Sequence, residues 1–300
     1  MTSSRRIADH IDLVEAVRCG EEHVRAALNE TKTMSSERMH PIFVVGLPRS
    51  GTTLVSQAMA RRFNVGYSSN IAALFVSAPL VGALVHQRFH TEVPPTPFES
   101  SFGQTTNAMD VHEYGRFWRG QFGLQTNEIP LKASLADPAR TASTLRDVAR
   151  IHNSPTIWKC FYALTGYSSL IDALPELAFV VVKRPLRSVA TSLLRGSLAQ
   201  GRIVGPTIEG EGNGDFRDPR FHAKRALRME ELRVAMLSDV TLRAPTIEVS
   251  IEDVVSASPH WATSGEVLGL KERSVSAPMG QDKVELSAKA LEIIDEEIGE

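Results

Sequence analysis

Residues 46–53 read Gly46-Leu47-Pro48-Arg49-Ser50-Gly51-Thr52-Thr53. Two glycines with four residues between them, followed by two threonines, let backbone N–H groups curl around a phosphate. A helix that starts at such a loop adds its positive N-terminus. The loop departs from the triphosphate-binding pattern at one position. Thr52 stands where that pattern carries the lysine that reaches the β- and γ-phosphates. Arg49 supplies a cation inside the loop instead. These residue types suit a phosphate-like anion rather than ATP hydrolysis. On its own the same spacing also describes an ordinary strand-to-helix turn.

A second constellation lies in Phe179-Val180-Val181-Val182-Lys183-Arg184-Pro185-Leu186-Arg187-Ser188-Val189-Ala190-Thr191-Ser192. Arg184 leaves the end of an apolar run, and Ser192 follows about two turns into the next helix. An arginine fork grips two oxygens at once, so a strand-end arginine and a helix serine can converge on one phosphate. A surface arginine and a helix-filling serine would read the same way in isolation.

The elements that must position these residues are legible as periodicity. Residues 41–46 form a short β-branched run ending in glycine, which suits a strand buried on both faces. A helix is expected over 54–63. Further strands are expected at 156–160, 177–182 and 246–251, with helices at 137–152, 168–174, 186–194, 218–237 and 287–300. Strands alternating with helices predict an α/β fold with a mainly parallel sheet covered on both faces. Ile7, Ile11, Val14, Val17, Val24 and Leu28 fall at helical spacing, and Gly20 is expected to divide them into two helices. Residues 29–40 read as a linker and 94–97 as a turn. Residues 201–219, with five glycines and two prolines, read as a mobile loop that could act as a lid.

The two constellations together resemble the sulfotransferases. Residues 48–54 are similar to the 5′-phosphosulfate loop, in the subgroup with arginine rather than lysine that includes bacterial enzymes and the tyrosylprotein sulfotransferases. Arg184 and Ser192 resemble the 3′-phosphate signature, although Pro185 replaces the usual acidic residue. The likeness covers residues 41–194 and more weakly the rest, where 247–255 resembles the late strand and acidic helix start. It implies a P-loop NTPase-like three-layer fold: a helical segment over 1–40 and a sulfotransferase domain over 41–300. It implies 3′-phosphoadenosine 5′-phosphosulfate (PAPS) as sulfuryl donor, leaving adenosine 3′,5′-bisphosphate, with transfer to a hydroxyl or amine without a metal. Pro48, Arg49, Ser50, Gly51, Thr52 and Thr53 would hold the 5′-phosphosulfate, and Arg184 with Ser192 the 3′-phosphate. The downstream arginine-lysine-glycine motif has no copy; Ser274, Ser276 and Lys283 are candidates for its contacts.

For the chemistry, Arg49 and Lys159 are the candidates to stabilise charge on the leaving phosphate. Lys159 resembles the strand lysine of the arginine-loop subgroup. The glutamate base of the tyrosylprotein subgroup has no counterpart, because residues 66–70 read Gly-Tyr-Ser-Ser-Asn. The base is therefore expected from His112 or Glu113, with Glu99, His86 and His90 as further candidates. Phe102, Tyr114, Phe117, Trp118 and Phe122 could wall an acceptor pocket or belong to the core. Two other readings stay open here: an inactive nucleotide-binding scaffold and a P-loop kinase.

Bulk properties bound the partners. The chain has 300 residues, 42% hydrophobic and 23% charged, with a formal net charge of -2. It lacks the basic excess of a duplex-binding protein. Two cysteines, no apolar leader and no apolar stretch of about 18 residues point to a cytoplasmic protein without a membrane span. The expected partner is a small-molecule or carbohydrate acceptor, not nucleic acid or membrane, with a homodimer as one assembly.

Overall fold

The computed structural model describes residues 2–30, 39–90, 105–126, 128–212, 214–273 and 288–299. The turn expected at 94–97, most of the linker, Glu99, Phe102, Ser274, Ser276 and Lys283 lie outside the described residues. The elements run α1 (Thr2–Glu30), β1 (Pro41–Gly46), α2 (Thr52–Arg62), β2 (Gly66–Tyr67), α3 (Pro79–His90), α4 (Gly115–Gln121) and β3 (Glu128–Ile129). They continue with α5 (Pro138–His152), β4 (Thr156–Lys159), α6 (Ala163–Ala173), β5 (Ala178–Lys183), α7 (Leu186–Gln200) and β6 (Thr207–Ile208). The last are α8 (Pro219–Arg243), β7 (Thr246–Ser250), α9 (Ile251–Val255), α10 (Pro259–Val267) and α11 (Ala288–Ile298).

The main sheet has the order β2-β4-β1-β5-β7, and every pairing is parallel. Alternate residues of the central strands enter two different cores. Phe43, Val45, Phe179 and Val181 face one layer, with Leu145, Leu170, Val189, Met229 and Trp118. Ile42, Val44, Val180, Val182 and Val249 face the other, with Val55, Met59, Phe63 and Trp261. Burial on both faces explains why β1 and β5 read as unbroken apolar runs. The two connections leaving β1 and β4 reach opposite sides of β1, so the crevice of an open α/β sheet falls at the C-terminal ends of β1, β4 and β5.

Local signals fix several helix ends. Asp137 and Asp218 cap α5 and α8 by accepting the Arg140 and Arg220 amides at 2.9 Å, and each is followed by proline. Gly201, at φ 64°, ends α7 in the left-handed conformation that glycine adopts at no steric cost. Gly20 does not divide α1, contrary to the sequence expectation. It packs toward Val81 of α3, whose Leu80 amide donates to the neighbouring Glu21 at 2.9 Å, so tertiary contact outweighs helix propensity.

The segment read as a mobile loop is tied down instead. β6 pairs in parallel with β3, and the Glu209 amide donates to the Ile129 carbonyl at 2.8 Å. Arg225 of α8, only 1% exposed, donates to the Val204 and Pro206 carbonyls and to Glu211 at 3.1 Å. Burial pushes the Glu211 carboxyl up and Arg225 opposes it. Arg225→Met would leave a buried carboxylate without its cation and take the Arg225 donors from two carbonyls, at a cost of about 3–5 kcal/mol. A urea denaturation series should show that loss, and the Arg225→Met/Glu211→Leu double variant should recover part of it. A single variant within ~0.5 kcal/mol of wild type would remove Arg225 as the anchor.

Candidate active site

β1 ends in a turn closed by the Ser50 amide donating to the Leu47 carbonyl at 3.0 Å. Gly46 is required by close approach: a Cβ there would lie 2.6 Å from Ser50 Oγ and 2.8 Å from the Val182 carbonyl. Gly51, at φ 99°, precedes α2, and no side chain caps its first turn. The positive end of this helix, without a side-chain cap, suits an anion. Arg49 also sits in the left-handed region, at φ 73°. For a residue with a Cβ this costs about 1–2 kcal/mol, so the fold holds a strained arginine where glycine would be easier. Ser50 is buried and its Oγ has no hydrogen-bond partner among the described residues.

The loop after β5 meets this turn. Arg49 Nε donates to Ser192 Oγ at 3.0 Å, and Arg184 Nη1 donates to the Arg49 carbonyl at 2.7 Å. The two constellations that the sequence separates by more than a hundred residues thus adjoin at the ends of β1 and β5. Burial, with the neighbouring Arg184 adding to it, lowers the Arg49 pKa to about 10. Burial likewise lowers Arg184, opposed by Glu252 and reinforced by Arg195. Two crowded, half-buried guanidiniums are stabilised by any anion placed between them.

The next strand brings the third cation. Lys159 ends β4, is 9% exposed, donates to Thr53 Oγ1 at 2.8 Å and pairs with Glu113 Oε2 at 3.1 Å. Glu113 arrives by an unusual route. Beyond β2 the chain continues extended, Ser69 bridges Val111 in antiparallel sense, and the His112 amide donates to the Ser68 carbonyl at 2.8 Å. Tyr67 Oη donates to the Met109 carbonyl and Asn70 Nδ2 to Asn107. This pairing carries residues 111–113 to the C-terminal edge of the sheet, beside the stretch that itself lacks a carboxylate.

His112 has a different environment from Glu113. Its Nδ1 accepts the Tyr114 amide at 2.8 Å, and burial lowers its pKa, with Glu113 opposing and Lys159 adding. The neutral ring therefore carries its proton on Nε2. Tyr114, Phe117, Trp118 and Phe122 are buried with Trp158 and Phe43, so the aromatic run fills the core rather than an open pocket. Sequence reasoning missed Ser68 and Ser69, whose role depends on a bridge over about forty residues that no local pattern announces.

His86 and His90 cluster with His152 and Tyr67. His86, 2% exposed, donates or accepts at Ser69 Oγ (2.8 Å) and packs against His90, His152 and Tyr67 with ring centroids 4.7 to 5.3 Å away. Burial and the neighbouring imidazoles lower His86 to about 2 and His152 to about 4. Among the described residues no His, Cys, Asp or Glu group is arranged to hold a metal ion, and no helix is long and apolar enough to cross a membrane.

The histidine trio generates a pH prediction. The unfolded chain takes up protons below about pH 6.5, whereas the folded His86 and His152 rings, held low by burial, take them up only at lower pH. Their contribution to stability is complete above that pH and falls on acidification, by about 1.4 kcal/mol per pH unit for each ring that stays neutral. Urea midpoints between pH 7 and pH 4.5 should follow that slope, and His86→Gln should flatten it by one proton. An unchanged slope in His86→Gln would contradict the assignment.

The sequence profile of the sulfotransferase family matches residues 41–256. No curated protein sequence matches the chain. Among solved structures it is similar to sulfotransferase STF1 of Mycobacterium tuberculosis, at 14% identity and a TM-score of 0.52 over 93% of this chain and 80% of that one. It is also similar to sulfotransferase STF9 of Mycobacterium avium, at 12% identity and a TM-score of 0.50 over 92% and 72%. At these identities the likeness is one of fold.

Proposed function

The chain belongs to the sulfotransferase family, and from that premise we propose that it moves a sulfuryl group from PAPS to a hydroxyl or amine of a small-molecule or carbohydrate acceptor. The observation that carries this reading is the Arg49 contact with Ser192 at 3.0 Å, with Arg184 on the Arg49 carbonyl. A 5′-phosphate loop and a 3′-phosphate pair that share a wall suit a nucleotide bearing phosphates at both ends of its ribose. A triphosphate would use only the first, and the loop carries Thr52 where a kinase needs lysine. The start of α2 without a side-chain cap, and the buried Ser50 Oγ without a partner among the described residues, fit the 5′-phosphosulfate.

When bound, the donor supplies a sulfuryl group on a phosphate leaving group. The acceptor oxygen or nitrogen forms the new bond to sulfur as the bond to the phosphate oxygen breaks. Arg49 and Lys159 sit where negative charge grows on that phosphate, and fixed cations stabilise it without reorganisation. The acceptor proton passes to a carboxylate or imidazole. Glu113 suits this role better than His112. It is an acceptor-only carboxylate held at the Lys159 ammonium, whereas neutral His112 presents an N–H at Nε2. In this reading His112 orients the 112–114 turn and donates toward the acceptor, and Glu113 takes the proton. A cytoplasmic setting agrees with the cysteine count and composition.

Mass spectrometry of an acceptor library incubated with PAPS tests the proposal. A mass gain of one sulfuryl group on an acceptor, absent with Arg49→Ala, is the expected result. With an identified acceptor, Glu113→Gln should lower kcat about 10²–10⁴-fold while adenosine 3′,5′-bisphosphate affinity stays near wild type. Stabilisation by ATP with Mg²⁺ but not by the bisphosphate would contradict the reading, as would full activity of Glu113→Gln for its part.

A further inference from the structure

Glu113 is followed at once by a residue in an unfavourable conformation. Tyr114 opens α4 in the left-handed region, at φ 56° and ψ 34°. That region is costly for a bulky side chain, so it persists only where surrounding contacts impose it. Here they do. The Tyr114 amide donates to His112 Nδ1 at 2.8 Å, and its carbonyl accepts the Trp118 amide at 3.1 Å. Its phenol donates to the Phe75 carbonyl at 2.9 Å. Its ring stacks on Phe117, with centroids 4.8 Å apart and planes 13° from parallel, and the residue is 3% exposed. Burial, with Glu21 adding to it, pushes the phenol well up, so it stays a hydrogen-bond donor.

The same ring lies 6.3 Å from Trp158, at 14° from parallel. Trp158 precedes Lys159 on β4, and its indole donates to Thr156 Oγ1 at 3.0 Å. Two consecutive residues therefore meet two consecutive residues of β4. The Glu113 carboxylate pairs with the Lys159 ammonium, and the Tyr114 ring lies on the Trp158 indole. Neighbouring strand residues point to opposite faces, so a sharp corner is needed to keep both contacts while α4 begins. We propose that Tyr114 is a positioning residue for the transfer: its left-handed corner, its phenol on Phe75 and its ring on Trp158 together hold the Glu113 carboxylate at Lys159. The inference rests on Glu113 as proton acceptor and adds the device that aims it. Phe75 follows the helical turn at residues 72–74, where the Ser69 carbonyl accepts the Ala73 amide at 2.9 Å. Both strands of the Ser69–Val111 bridge therefore lead to the Tyr114 corner.

Tyr114→Phe, which removes only the hydroxyl, and Tyr114→Leu, which also removes the ring, test this beside Glu113→Gln. With PAPS and the acceptor that gains mass in the library, kcat should fall about 3–10-fold in Tyr114→Phe and about 10²-fold in Tyr114→Leu. Adenosine 3′,5′-bisphosphate affinity, read by titration calorimetry, should stay within about twofold of wild type in both. The Tyr114→Leu/Glu113→Gln double variant should be no slower than Glu113→Gln alone, because both changes remove one function. Losses that multiply, a bisphosphate affinity that falls with kcat, or an unchanged kcat would overturn the role of Tyr114 and leave Glu113 as the base. Full activity of Glu113→Gln would overturn the base reading and this inference with it. Hydrogen exchange reads the corner without an acceptor. The His112 amide, which donates to the Ser68 carbonyl, should exchange about tenfold faster in Tyr114→Phe, and an unchanged rate would count against the role. If Tyr114→Leu does not fold, Tyr114→Phe combined with Glu113→Gln supplies the same cycle.

Discussion

One arginine joins the two halves of the site. Arg49 is held in a left-handed conformation, its guanidinium on Ser192 of α7 and its carbonyl on Arg184 after β5. The loop after β1 therefore cannot shift without moving the loop after β5. The parallel sheet makes this contact geometrically natural, because β1 and β5 are neighbours in register and their C-terminal ends open on one edge. The strain at Arg49 and the repulsion between two half-buried guanidiniums both act against the folded chain alone. An anion relieves the second of these, so the site is arranged to be more favourable occupied than empty.

The side on which Glu113 is proposed to accept the proton is built on a different principle. Residues 66–70 hold no carboxylate, although the resemblance to the tyrosylprotein subgroup leads one to be expected there. Here the chain past β2 pairs with residues 109–112, and Glu113 reaches the edge of the sheet from that partner segment. Lys159 completes the arrangement from β4 by contacting both Thr53 and Glu113. Buried His86, beneath this pairing, hydrogen-bonds the Ser69 hydroxyl. Glu113 lies over forty positions after that stretch, and backbone pairing brings it beside Lys159.

Much of this was legible in the sequence for physical reasons that can be named. β1 and β5 are buried on both faces, so their apolar runs were unmistakable, and Asp137 and Asp218 before proline gave the starts of α5 and α8. Arg49, Arg184 and Ser192, which the sequence singled out, do adjoin, because the phosphate binding proposed for them would impose residue type and spacing within a few turns. The Glu113 position relative to Lys159 was not legible, since two-residue pairings at Ser68–Ser69 carry no periodicity. The anchoring of residues 201–212 was hidden for a related reason: glycine-rich composition reads as freedom, while the restraint comes from Arg225 on a later helix. Gly20 and the histidine trio likewise depend on tertiary neighbours.

The most direct test of the central claim is a crystal structure of the protein with adenosine 3′,5′-bisphosphate. The account predicts the 5′-phosphate in the turn formed by residues 46–53, within hydrogen-bond reach of Arg49 and Lys159, and the 3′-phosphate on Arg184 and Ser192. A nucleotide bound with neither phosphate at Arg184, or seated away from the Arg49 turn, would contradict it.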